Sequence, residues 1–429
     1  MKSVVIIRGM GRLRSCLAAA VLLCVGAMVP AAARASETLT LDEAIARALR
    51  VAPALEMASA QSDLSGARVN EARAPLYPGL SAATEYIQQP GYDNVITNRG
   101  QTTAQLLLDY TAYDGGRRDA QVRSARYTAE AAELGVKAAR AQIVFDTTVA
   151  YFDLMRGRET EKELQTSLQR LTGYVAIIEA LERSGRAIAN DVLKIRAARD
   201  AAELALAAAH QAGAHASIAL GSMVGDFGRS DLQTAEVSGL PSPPAGDLTQ
   251  SPVYKAALRQ VEAARLGVNA AEAERSPTLK IALTAGWLGI DPPKTFGHHL
   301  GASYDGAVSM PIFQGGLVQS HIDEAKALEQ SARAQQRQVE LELKRDLADA
   351  GSRYNSAREQ LALIAKAQTT ATDAFALVWT RFLGGGNATL LEVMDAYQQA
   401  ETLRLARLDQ EFGARQASAQ AQLILGLPQ

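Results

Sequence analysis

Cysteine is nearly absent from this chain: of 429 residues only Cys16 and Cys24 carry a thiol, and both lie in a leader expected to be removed. That excludes a disulfide scaffold, a thiol nucleophile and a cysteine metal site from the mature protein. Histidines number five, and only His298-His299 stand together. Adjacent histidines on a strand point to opposite faces, and no second pair is spaced to complete a metal site. With no nucleophile beside a base, no catalytic carboxylate pair and no metal cluster, the chain reads as a non-enzyme that needs no cofactor. Long hydrophobic runs are missing beyond the leader, so no later segment reads as a membrane-spanning helix. Proline is absent from 117–183 and from 317–381.

Residues 1–35 read as a secretory signal. Lys2, Arg8, Arg12 and Arg14 precede an apolar run from Cys16 to Val29, and Ala33-Arg34-Ala35 has the small-x-small form of a cleavage site. Leu23, before Cys24, lacks the small side chain that lipid attachment at that cysteine requires. The signal holds five of the 44 basic residues and none of the 46 acidic ones, leaving 39 against 46 and a balance of −7. A mildly acidic chain with no basic stretch is not built to bind nucleic acid. Aromatics are 5% and alanine is abundant, which suits long helices packed closely.

What is present is a duplication. At an offset of 199, Pro53, Val69, Asn70, Ala72, Pro78 and Leu80 meet Pro252, Val268, Asn269, Ala271, Pro277 and Leu279. Tyr113-Asp114-Gly115-Gly116 meets Phe313-Gln314-Gly315-Gly316 at 200. Ala197, Ala201, Leu204, Leu206 and Ala207 meet Ala396, Ala400, Leu403, Leu405 and Ala406, again at 199. One architectural unit is repeated, over 36–225 and 251–429, joined by a polar segment 226–250 that reads as a surface connection.

In repeat 1, Thr40-Leu41-Asp42-Glu43 forms a capping box, and a helix follows to about Arg73, stopped by Pro75 and Pro78. The counterpart runs from Ser251-Pro252 to Pro277. The hydrophobic period then switches to 2. Leu279, Ile281, Leu283, Ala285 and Trp287 alternate with more polar neighbours, as do Leu300, Ala302, Tyr304, Gly306, Val308 and Met310. Hairpins are therefore expected over about 80–113 and 279–312. Strands of about ten residues with one apolar face suit a membrane barrel, but closure takes at least about eight strands and two hairpins supply four. Either the hairpins sit on a soluble core or several chains share one barrel. After the paired glycines, long helices are expected over 117–183 and 317–381, each reaching roughly 100 Å at 1.5 Å per residue. Val122, Ala125, Ala129, Ala132, Val136, Ala139 and Ile143 keep a coiled-coil spacing. Glycine turns at Gly185 and at Gly384, Gly385 and Gly386 lead to return helices near 190–221 and 389–426. The three glycines lack the Lys-Ser/Thr of a phosphate loop, and a helical turn accounts for them.

This order resembles the TolC family of outer-membrane efflux and secretion channels across almost the whole mature chain. Leu41-x-Glu43-Ala44 with Ala48-Leu49 and Pro53 resembles the family's opening helix. Met310 to Gly316 resembles its second hairpin exit, and Glu392-Val393-Met394-Asp395-Ala396 the run after its second tip turn. Departures are the absence of a proline in repeat 1 where repeat 2 has Pro311, the third tip glycine, and no clean adaptor-docking motif. The resemblance implies a mainly α protein with a small β part. In that picture two tandem repeats build a hollow coiled-coil cylinder, and four transmembrane strands per chain close a barrel as a homotrimer. It further implies an outer-membrane location with a periplasmic extension. The conduit would be passive, serving efflux or type I secretion, and docked by a periplasmic adaptor and a proton- or ATP-driven inner-membrane pump. A periplasmic coiled-coil adaptor is the rival reading, yet an adaptor has no use for four bilayer-length strands.

Within that picture Glu392 and Asp395, one turn apart above the second tip, would ring the aperture. Rings of carboxylates favour cations. Asp191 holds the corresponding place in repeat 1. An acid near a helix start also serves as a cap. A basic partner for a closing salt bridge is absent around Asn387-Ala388. Trp287 and Tyr304 are expected to mark a membrane interface.

Overall fold

A computed structural model of the chain describes residues 38–89, 100–227, 232–235, 237, 239–290 and 300–426. The signal and both outer hairpin loops, including Asp291 and His298-His299, lie outside the described residues.

The chain opens with β1 (Thr38–Leu39) and α1 (Leu41–Val51), whose Thr40 Oγ1 accepts from the Glu43 amide at 3.3 Å. The single helix expected up to Arg73 is in fact two. Ala52 is extended (φ −73°, ψ 112°) because Pro53 disfavours a helical residue before it, and Pro53 then opens α2 (Pro53–Arg73). A 3₁₀ turn leads into β2 (Gly79–Gln88) and β3 (Gly100–Tyr113), followed by α3 (Arg117–Arg183) and α4 (Ala189–Val224). The second repeat is α5 (Pro252–Glu272), β5 (Thr278–Ile290), β6 (Leu300–Ser309), α6 (Leu317–Leu383) and α7 (Leu390–Leu425). β6 ends before Pro311, which has no amide to offer a ladder.

The segment 226–250 is more than a surface connection. It contains β4 (Gln233–Thr234), which pairs in parallel with β1, and Leu232, which is buried. The Tyr151 hydroxyl lies 2.9 Å from the Leu39 carbonyl and 3.0 Å from that of Ala235, pinning this small sheet to the middle of α3. Leu39, Phe152, Leu154, Leu220 and Phe412 complete the core there.

Nearer the sheet the helices lie side by side in the order α2, α3, α5, α6; towards the other end the order is α4, α3, α7, α6. Only α3 and α6, with 67 residues each, run the full length. The remaining two rows are made of pieces placed end to end. A Cβ on Gly426 after α7 would lie 2.3 Å from Pro252 Cδ at the start of α5. A Cβ on Gly225 after α4 would lie 3.3 Å from Val51 of α1.

The repeats are not related by one offset. α2 and α5 differ by 199, α3 and α6 by 200, α4 and α7 by 201. Ala197 and Ala396 are therefore not equivalent. The second tip turn is one residue longer, and Ser217 and Ser418, both fully buried, occupy matching places. Alanine-leucine stripes at helical spacing match at more than one offset, so the return helices align at 199 in sequence although they correspond at 201 in the structure.

Where each hairpin feeds its long helix the repeats also differ. Arg118 Nε donates to Asp114 Oδ2 at 2.8 Å, Nη1 to the Pro75 carbonyl at 2.6 Å and Nη2 to the Thr111 carbonyl at 2.5 Å. Thr111 stands where repeat 2 has Pro311, and Asp114 and Arg118 stand where it has Gln314 and Val318.

Candidate functional site

At the end far from the sheet, two helical hairpins meet. Each long helix stops on a left-handed glycine, Gly185 (φ 72°) and Gly385 (φ 73°), a conformation that other residues adopt only with strain. The Arg186 amide returns to the Leu181 carbonyl at 2.8 Å, and the Gly386 amide to that of Arg381 at 2.9 Å. Gly384 is the helical C-cap, so the three glycines play three different parts.

The return helices start alike. Asp191 accepts from the Ile188 amide at 3.4 Å; Glu392 accepts from the Thr389 amide at 3.1 Å while Thr389 Oγ1 accepts from the Glu392 amide at 3.3 Å. Both acids occupy the third helical position, so Asp191 corresponds to Glu392, and the place of Asp395 is taken in repeat 1 by Lys194. Asp395 is exposed and lines a shallow groove with Lys366, Thr370 and Gln398. Glu392 and Asp395 lie one turn apart on α7, and Asp191 lies on α4 of the other hairpin.

The sequence reading missed what lies between the hairpins. Tyr174 of α3 packs at a tilt of 47° against Trp379 (ring centroids 4.5 Å) and Phe375 (5.8 Å) of α6 and meets Tyr397 of α7 edge-on at 6.0 Å. Leu171, Val175, Ile178, Val192, Ile195 and Val393 enclose them. The Tyr397 hydroxyl is 2.6 Å from Ser167 Oγ and donates to the Ser167 carbonyl at 3.2 Å. Burial, only partly offset by the Ser167 bond, pushes its pKa up to about 12. Glu401 is buried between Arg404, its hydrogen-bond partner, and Arg170 at 3.4 Å. Arg186 Nη2 crosses from the first tip to the Leu383 carbonyl, the terminal carbonyl of α6, at 2.5 Å. It supplies a cation where α6 concentrates its partial negative charge. The spacing of Phe375, Trp379 and Phe382 along one helix face was the available signal; Ser167 and Tyr397, 230 residues apart, left none.

At the other end the four strands form one antiparallel sheet in the order β2, β3, β5, β6. Its register sorts side chains cleanly. Leu80, Leu108, Leu283 and Tyr304 form one cross-strand row, and Thr84, Ala104, Trp287 and Leu300 another on the same face. No charged residue lies on that face. Glu85, Asp109, Lys280 and Asp305 all lie on the opposite one. β2 and β6 each have one unpaired edge within the chain. Trp287 sits near the loop end of the sheet, but Tyr304 opposes Leu283, four residues nearer the helices. The two were expected at one interface; the pairing separates them by roughly 13 Å along the strands.

Among the described residues no group of three or more His, Cys, Asp or Glu is placed to hold a metal ion, and no helix is long and apolar enough to cross a membrane.

Comparison with known proteins gives a consistent result. The chain matches the outer membrane efflux protein family over residues 44–226 and 248–427. It is 24% identical over 410 residues to the outer membrane efflux protein BepC of Brucella suis, covering 94% of this chain and 88% of that one. The crystal structure of the outer membrane protein VceC of Vibrio cholerae superposes with a TM-score of 0.81 at 22% identity, over 90% of this chain and 96% of that one. A membrane protein of Pseudomonas aeruginosa gives 0.83 at 20% identity, over 90% of each. At these identities the structural likeness speaks for the fold alone.

Proposed function

The chain belongs to the outer membrane efflux protein family, and from that premise we propose that three copies form a passive exit duct gated at the periplasmic helix tips. Membership places the protein in the outer membrane with a long helical part in the periplasm and makes it a channel component, not an enzyme. It also sets aside the adaptor reading.

The observation that carries the duct is the two-faced sheet. Lipid admits only backbone whose polar groups are all paired, so four strands with two open edges must be completed by other chains. A face without charges suits lipid, and a face bearing Glu85, Asp109, Lys280 and Asp305 suits a water-filled lumen. Three chains complete the closure, each edge β6 meeting the next chain's β2. Below the barrel, α3 and α6 extend the wall by roughly 100 Å.

At the far end, three-fold symmetry gathers three copies each of Asp191, Glu392 and Asp395. Glu392 and Asp191 are engaged as caps, whereas Asp395 makes no cap bond, so its carboxylate is the one of the three not tied to its own helix start. A periplasmic adaptor dock at the tips and a proton- or ATP-driven inner-membrane pump follow from the same reading, as do roles in efflux of small molecules or type I secretion. The test is single-channel recording on the purified protein in planar bilayers under a salt gradient. Asp395→Asn is expected to shift the reversal potential towards lower cation preference, and an unshifted potential would remove Asp395 from the aperture.

A further inference from the structure

At mid-height, where the end of α7 meets the start of α5 beside the unbroken α3, a cavity of about 360 Å³ lies between the three helices. Its apolar wall is Leu134 and Val144 of α3, Leu423 of α7 and Pro252 of α5. Lys137 and Arg140 of α3 and Lys255 of α5 also line it, and among the described residues no acid does.

The charges there are unbalanced. Among the described residues none of these three cations is in an ion pair, although Arg123 and Arg259 on the same two helices are paired with Asp119 and Glu130. Asp247, three residues before Gln250 at the cavity's edge, is engaged in its own turn, accepting from the Thr249 amide at 3.4 Å and hydroxyl at 3.0 Å. Helix α5 starts with no acid in its first turn and no side-chain cap, and the buried Ser251 hydroxyl has no hydrogen-bond partner among the described residues. The end of α7 brings about half an elementary negative charge, against three full positive ones. Like charges gathered on low-dielectric walls concentrate a positive potential, which an entering anion relieves.

The position narrows the ligand. Lys137, Val144 and Tyr151 follow at seven-residue intervals on α3 and share a face. Tyr151 holds the β1–β4 sheet, so the cavity lies on the side of the wall that carries that sheet. Arg140 is 23 residues (140 minus 117) beyond the start of α3, roughly 35 Å from the hairpins. Head groups of a membrane around the four-stranded sheet are out of reach.

We infer that this joint binds a soluble organic anion: a carboxylate, sulfonate or phosphate ester with a small apolar body. Lys137, Arg140 and Lys255 hold the charged head, and the body lies on Leu134, Val144 and Leu423. An apolar cavity of this size with a few converging polar groups is the usual form of a small-molecule site. Because the head is shared between α3 and α5, a bound anion ties the jointed row to the unbroken rod where the row is interrupted. The site does not depend on how the tips open.

The mature chain has no cysteine, so Ala141→Cys on the cavity wall places one thiol per chain there. In the purified full-length protein, with rates corrected for those of a free small thiol, an anionic methanethiosulfonate is expected to react several-fold faster than a cationic one. The preference is expected to vanish when Lys137→Gln and Lys255→Gln are added. Naphthalenesulfonate is expected to slow modification by a neutral methanethiosulfonate several-fold, while naphthalenemethanol is not. Equal protection by the neutral analogue would reduce the cavity to an apolar crevice and overturn the proposal, as would protection unchanged by the two glutamines. A thiol that no reagent reaches in the assembled protein also overturns it, because the cavity is then closed by protein. If Ala141→Cys does not assemble, Gln250→Cys, exposed at the same cavity, carries the thiol instead.

Discussion

Arg118 ties three parts of the chain together: the turn after α2 through Pro75, the end of β3 through Thr111, and its own helix start through Asp114. Repeat 2 breaks its strand with Pro311; repeat 1 has no proline there and uses this clasp instead. Removing one partner of a buried ion pair costs about 3 kcal/mol, so Arg118→Ala is expected to lower the temperature of trimer dissociation clearly, while Val318→Ala at the matching place of repeat 2 has a smaller effect. The clasp also has a sign in pH. Burial acts to raise the Asp114 pKa, but hydrogen bonds and charge from Arg118 outweigh it, and the carboxyl is held below its usual value of 3.8. The stabilisation is therefore present above the unfolded-state pKa of about 3.9 and is lost as pH falls through the folded value. Thermal dissociation followed against pH should show a wild-type drop below about pH 4 that Asp114→Asn lacks. Single residues were the hardest scale to read from sequence. Asp114 and Arg118 at i, i+4 after a strand are a visible pair, but Pro75 and Thr111 as acceptors are not.

Helices α3 and α4 approach closely at Gly157 and Gly213. A Cβ on Gly157 would lie 3.2 Å from Gly213 Cα, whereas a Cβ on Gly213 would meet only Glu161 Oε2 at an ordinary 3.8 Å. The same substitution should thus act oppositely on the two partners. Gly157→Ala forces the helices apart and is expected to cost about 1 kcal/mol. Gly213→Ala is expected to be neutral or to stabilise by up to about 1 kcal/mol through helix propensity. Heat-dissociation of the two variants side by side checks the order, and the reverse order would reject the packing argument. Elements were far easier to read than residues. Prolines and glycines mark most ends, and the switch of period from helical to 2 marks the strands. The break at Ala52 was missed although Pro53 announces it, because an unbroken capping box drew the helix onward. β4 escaped because two residues of pairing leave no periodic trace.

At the scale of the molecule, adjacent strand positions face different solvents. Leu283 lies on the charge-free face of the sheet and Thr284 on the face that holds the ionisable groups. If the first meets lipid, Leu283→Arg costs roughly 2–4 kcal/mol per chain near mid-membrane and is expected to abolish heat-modifiable trimers in the outer membrane fraction. Thr284→Arg should assemble and lower conductance for cations instead. Equal assembly of both would contradict the assignment of faces. One further consequence follows from the end-to-end helices. Of the four rows in each chain's wall, two are unbroken rods and two are jointed at mid-height, at Gly225 against Val51 and at Gly426 against Pro252. Torque applied to the tips is transmitted to the sheet by α3 and α6, while the jointed rows yield at their couplings. A twist of the tips therefore reaches the sheet only through the two unbroken rods of each chain.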